Sequence, residues 1–228
     1  MGAGGKMKKY HILCLALCVE ASTVNAASFN AFDNNLSGFN SAISGQITNI
    51  LDFEALSNND SLTNQFAASN NVTFSAENGD TPFLTIRTDL FGSTPKGNLG
   101  VRVPFDNNEF SQFTSIFTEG VNSVGAYFMD NSSPISVDLF DVGNNLLSNF
   151  TISSTSESGD SGEWWGVVSN ESIIARAVFT ATSTSDGYGF DNFTFSTTPA
   201  SVPAPTAIWL IASGLVGFAG MHKKAPIA

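Results

Sequence analysis

The amino-acid sequence predicts an all-β protein, a single β-sandwich of jelly-roll type, with a short helix ahead of it and hydrophobic segments at both ends. Three observations carry this. Apolar runs rich in Val, Ile, Phe and Thr recur across residues 47–198 at roughly the 8- to 12-residue spacing of sandwich strands. Turn-forming clusters separate them, among them Asn78-Gly79-Asp80, Gly143-Asn144-Asn145 and Ser158-Gly159-Asp160. The chain also holds 20 phenylalanines, enough large side chains to fill the space between two sheets.

Residues 27–46 read as the short helical segment. Phe32, Leu36, Phe39 and Ile43 fall on one helical face, with Asn34 or Asn35 to cap it and Gly45 to stop it. The sandwich domain, 47–198, then opens with a strand over Ile47–Glu54. Further strands are expected at Asn71–Ala76, Pro82–Arg87, Leu99–Phe105, Phe113–Thr118 and Val121–Met129. The series closes with Ile135–Val142, Leu146–Ser153, Glu163–Val168, Ile173–Thr182 and Phe190–Ser196. No segment within the domain keeps helical periodicity long enough to compete.

The ends carry addresses. Residues 1–26 have a lysine-rich start (Lys6, Lys8, Lys9), an apolar stretch and small residues before a cleavage point between Ala26 and Ala27. That is the layout of a secretory signal read by signal peptidase, and it predicts export. Residues 199–228 hold a linker, Val202-Pro203-Ala204-Pro205, an apolar segment at 207–221 and the basic pair Lys223-Lys224. As a helix at ~1.5 Å per residue that segment is short for a bilayer core of about 30 Å. The two lysines would hold its end on the cytoplasmic side.

Composition excludes several kinds of chemistry. Cys14, Cys18, His11 and His222 all lie in the terminal segments. The domain between them therefore supports no disulfide, no Ser-His-Asp triad and no zinc site with nitrogen or sulfur ligands. Between residues 27 and 202 only Arg87, Lys96, Arg102 and Arg176 offset nineteen acids. This disfavours nucleic acid and anionic lipid as partners, because phosphate binding needs clustered Lys and Arg.

The order Val-Pro-Ala-Pro, short membrane segment, basic end resembles the PEP-CTERM sorting signal of exported bacterial proteins, in its Val-Pro-x-Pro variant. Ala207-Ile208-Trp209-Leu210 and Ser213-Gly214-Leu215 belong to the same resemblance. It implies recognition by an exosortase, a membrane protease. The protein would be held transiently at the inner membrane through its C-terminal segment and then passed to the cell surface or extracellular matrix. Where glutamate is more common, this chain has Ala204. Two further stretches are similar to opening and closing strands of galactose-binding-like or lectin-like jelly rolls in such proteins: Leu51–Glu54 with Thr63–Phe66 and Asn71–Phe74, and Gly187–Phe193. In jelly rolls of that type, acids near the first and last strands hold a structural calcium ion. The corresponding residues here are Asp52, Glu54, Asp186, Asp191 and Asn192, whose oxygens suit calcium and which also serve turns and solvated strand faces.

Trp164-Trp165 is the other candidate. Adjacent strand residues point to opposite faces, so one ring is expected in the core and the other at the surface, where it would stack on a sugar such as exopolysaccharide. The alternative for that second ring is covering the sheet edge or packing under the neighbouring acidic loop (Glu157, Asp160, Glu163). No motif fixes a carboxylate pair across a cleft, as glycoside hydrolysis requires. The sequence therefore favours a non-catalytic surface or matrix protein that contacts glycans. A polysaccharide-active enzyme and a simple tail-anchored envelope protein are the alternatives.

Overall fold

A computed structural model describes residues 27–76, 84–104, 111–154, 162–171, 173–184 and 187–197. The signal segment with Ala26, the candidate Asp186 and the sorting tail with Val202, Pro203, Ala204, Pro205, Lys223 and Lys224 lie outside them. No helix among the described residues is long and apolar enough to cross a membrane.

Among the described residues twelve strands form two antiparallel sheets packed as a jelly-roll-like sandwich. They are β1 (Phe29–Asp33), β2 (Ile47–Leu51), β3 (Val72–Ala76), β4 (Thr85–Arg87), β5 (Gly100–Val103) and β6 (Gln112–Val121). The rest are β7 (Ser123–Met129), β8 (Ile135–Phe140), β9 (Leu146–Ile152), β10 (Glu163–Ser169), β11 (Ile174–Ala181) and β12 (Tyr188–Thr197). One sheet runs β1-β10-β7-β12-β5-β4, with β2 also on β12; the other runs β3-β6-β11-β8-β9. Every expected strand is present within a few residues of its expected bounds.

The segment expected to be only helical is different. Helix α1 covers Leu36–Ala42, capped by Asn35, whose Oδ1 accepts from the Gly38 N–H, and Gly45 follows at φ +85°. Phe32, however, belongs to β1, which pairs with β10 from Phe29↔Ser169 to Asp33↔Trp165. The sandwich therefore begins before residue 47. A five-residue edge strand takes its conformation from a partner more than a hundred residues away, which local periodicity does not register. A second short helix, α2 (Ala67–Asn70), also went unforeseen.

Inward side chains alternate as a two-residue period demands, most clearly in β8, where Ile135, Val137 and Leu139 are buried and Ser136, Asp138 and Phe140 are not. At the centre Phe113 of β6 stacks on Phe179 of β11 at 4.4 Å and on Phe190 of β12 at 4.2 Å, joining the two sheets.

The outer face of the seven-stranded sheet is paved over β10 and its neighbour β7, whereas Ile50 of β2 stays 62% exposed. Helix α1 lies over β10, with Phe39 against Trp164 at 5.1 Å. Two glycines make room for it: a Cβ at Gly166 would stand 2.7 Å from Phe39, and one at Gly125 2.7 Å from Trp164. Farther along, Leu90 is buried against Gly100 and Gly189 in the same way.

Candidate functional site

The structure places Asp52 and Glu54 near Asp191 and Asn192. β12 is bulged between Asp191 and Thr194, with Asn192 at φ +48°. At this bulge β12 exchanges one neighbour, β5, for another, β2. Leu51 pairs with Phe193, so Asp52 and Glu54 arrive beside the bulge.

The carboxylates are occupied by amide hydrogens. Asp191 is fully buried and accepts from the Lys96 N–H at 2.8 Å and the Asn192 N–H at 2.6 Å. Glu54 accepts from the Asn98 and Leu99 N–H groups at 2.6 and 3.0 Å and from Asn98 Nδ2 at 3.2 Å. The Leu99 N–H, with help from Asn98, holds Glu54 below its ordinary pKa. Burial pushes Asp191 up to about 7, and the nearby Glu54 and Asp52 charges push the same way. The arrangement pins the Lys96–Leu99 loop onto the sheet, and Lys96 Nζ completes it 4.2 Å above the Tyr127 ring. Among the described residues no group of three or more His, Cys, Asp or Glu is placed to hold a metal.

The expectation for Trp164 and Trp165 needs correction. They do point to opposite faces, yet both are buried, at 3% and 1% exposure. Trp165 enters the inter-sheet core, while Trp164 is roofed by α1 and flanked by Tyr127. Neither ring is free to stack on a sugar. The outward face carries a second, smaller core, and alternation along β10 alone cannot show that.

The five-stranded sheet presents a different outer surface. Its outward rows include Ser136 and Asp138 of β8, Asn149 of β9, and Gln112 and Thr180 of β6 and β11. Asn149 Nδ2 donates to Asp138 Oδ1 at 2.6 Å and to Ser136 Oγ at 3.0 Å, and Gln112 Nε2 donates to Thr180 Oγ1 at 2.8 Å. Apolar groups interrupt these amides and hydroxyls: Ile116 is 44% exposed and Val142 96%.

A groove opens where two strands of this sheet part. The β6–β11 register jumps from Arg176↔Ile116 to Ile174↔Val121, so residues 117–120 face Ala175 alone. The opening measures about 500 Å³ and is lined by Phe117, Thr118, Gly120, Asp141, Val142, Ile173 and Ala175. Val142 reaches it from the β8–β9 turn. That turn is closed by Asp141, whose carboxylate accepts from the Asn145 N–H at 2.8 Å and from Asn145 Nδ2. The Asn145 side chain, then its N–H, lowers the Asp141 pKa. Arg176 staples the turn to β11: its guanidinium stacks 3.9 Å over Phe140 and donates to Asn144 Oδ1. An apolar floor with a few oriented polar groups at the rim is the usual character of a small-molecule site. Sequence reasoning singled out none of these residues. The available signal was the polar-apolar mixture at outward positions of β6, β8 and β11.

Fold and face together define this chain as a jelly-roll-like β-sandwich protein with one partly paved sheet and one open, grooved sheet. No protein-family profile matches the sequence, and no curated protein matches it. Solved structures of similar outline include the K2 cleaved adhesin domain of Lys-gingipain, 14% identical over 65% of this chain and 99% of that one, TM-score 0.43. A family 29 carbohydrate-binding module is 12% identical over 67% and 94%, TM-score 0.41. The CBM22-1 xylan-binding domain of Paenibacillus barcinonensis Xyn10C is 14% identical over 69% and 100%, TM-score 0.37. Likeness at this level assigns no ligand to the present chain.

Proposed function

We propose that this protein is an exported, non-catalytic module that contacts glycans through the outer face of its five-stranded sheet. The observation that carries the reading is the groove between β6 and β11 beside the polar rows of β8 and β9. A sugar ring offers an apolar face and a fringe of hydroxyls. Ile173 and Ala175, with Val142 at the rim, match the first, and Asp138, Asn149 and Thr118 match the second, since a carboxylate accepts from hydroxyls while amide and hydroxyl groups both give and accept. The acids at the β12 bulge serve the loop that they pin, and this supports binding without turnover.

Titration calorimetry of the full chain against neutral oligosaccharides tests this. Val142→Asp places a charge at the rim of the groove, on a side chain too exposed to matter for folding. It is expected to weaken binding about tenfold, or about 1.4 kcal/mol. Unchanged affinity would remove the groove from the reading, and hydrolysis of the ligand would replace it with an enzymatic one.

Export and sorting form the second half of the proposal and rest on the two terminal segments. Signal peptidase would release Ala27 as the new N-terminus, and an exosortase-type protease would recognise Val202–Pro205. The intact mass of the protein recovered from envelope and secreted fractions should then correspond to a chain starting at Ala27 and ending near Pro203–Pro205. A membrane species that retains Lys223 and Lys224 would instead mark a tail-anchored envelope protein.

A further inference from the structure

We infer that the groove is half of a two-part sugar site, and that its other half is a polar pocket on the far side of the same β6 segment. This inference rests on the glycan reading above and specifies the ligand. The second pocket holds about 220 Å³ at the rim where β2 and α2 meet β6, and Ile47, Asn49, Asn70, Asn71, Glu119 and Phe195 contribute to its walls. Its residues interleave with those of the groove along β6: Phe117, Thr118 and Gly120 line the groove, while Glu119 and Val121 line the pocket. The stretch that leaves β11 unpaired is thus a wall shared by both openings.

The lining selects the ligand class. Among the described residues no Lys or Arg contributes to the pocket, so these walls offer an anionic group no counter-charge. A single carboxylate, Glu119, falls short of the six to eight oxygens that calcium takes. What remains is amide-rich: each Asn presents one acceptor oxygen and two N–H donors, which suits neighbouring hydroxyls that both give and take hydrogen bonds. The amides are held in place. Asn70 Nδ2 donates to Asn49 Oδ1 at 3.1 Å, and Ser69 Oγ donates to Asn70 Oδ1 at 2.6 Å. Asn71 sits at φ +59° and is fixed by its carbonyl, which accepts from the Thr118 N–H at 2.9 Å. Phe195 and Ile47 add apolar wall for a ring face. The volume is below the roughly 300 Å³ at which drug-sized pockets begin, which limits it to about one ring. The ligand is accordingly a neutral oligosaccharide whose terminal residue enters the asparagine pocket and whose following residues cross Gly120 into the apolar groove.

Calorimetry on the full chain with gluco-, galacto-, manno- and xylo-oligosaccharides of one to six residues separates the two halves. Wild-type protein is expected to prefer one series and to bind its longer members better. Asn49→Ala, at a half-buried position, and Glu119→Ala, at an exposed one, should each weaken binding about tenfold at every length and reduce discrimination between the series. Val142→Asp should weaken only the longer members. If Val142→Asp weakens binding while Asn49→Ala and Glu119→Ala behave as wild type, the pocket is overturned and the groove reading stands. If no member of the panel binds, both fall together.

Discussion

Phe113→Ala is expected to cost about 3–5 kcal/mol of folding stability, the range for deleting a buried aromatic ring. Phe113 has no exposed surface. Its ring is stacked between Phe179, on the neighbouring strand of the same sheet, and Phe190, on the opposite sheet. Truncation therefore removes the transfer energy of one ring and leaves two more facing a void. In a domain of this size each kcal/mol shifts the melting temperature by about 2–4 °C, so a fall of about 6–20 °C should appear in a circular-dichroism melt. A fall of only 1–2 °C would mean that the sheets are joined elsewhere.

Stability is expected to decrease as pH rises from 5 to 8, and Asp191 is the cause. In the unfolded chain it releases its proton near the ordinary aspartate value of 3.8, whereas in the folded chain burial holds the proton to about 7. Between those limits the native state binds more protons than the unfolded state, so stability falls with rising pH. The favourable contribution is complete below 4 and lost above 7. At about 1.4 kcal/mol per pH unit, the loss from pH 5 to pH 8 comes to about 2–3 kcal/mol. Urea denaturation at the two pH values measures it. Asp191→Asn removes the titration and should flatten the profile. It should also lower stability at both pH values, because an amide NH2 then confronts either the Lys96 or the Asn192 N–H. A wild-type profile already flat from pH 5 to 8 would show that Asp191 ionises without this penalty.

Phe113 and Asp191 differ in how much of their role the sequence displays. Phe113 was legible as an inward strand residue, because the alternation of β6 and the abundance of phenylalanine mark it as core. Asp191 was legible as one of a set of acids, but its use was not. Calcium ligation and turn formation both suit an Asp-Asn pair, and only the arrival of the Lys96–Leu99 loop supplies the N–H groups that occupy it. Asn35 and Gly45 were readable at the ends of α1 because capping is local. The strand just before them was not, since β1 exists by virtue of β10.

What the sequence by itself determined about this protein is therefore local or compositional. It comprises the succession of strands from β2 to β12, the cap and stop of α1, the address-like ends, and a domain without His or Cys in which whole classes of catalysis have no residues to run on. Only the tertiary structure decided which faces are covered. A two-residue period assigns each side chain to one side of a sheet and is silent on what lies beyond that side. Trp164 is buried because α1 folds back over Gly125 and Gly166, and Val142 stays in solvent at the edge of a groove because β6 parts from β11. Both outcomes follow from contacts between segments far apart in the chain, where register and packing override local pattern.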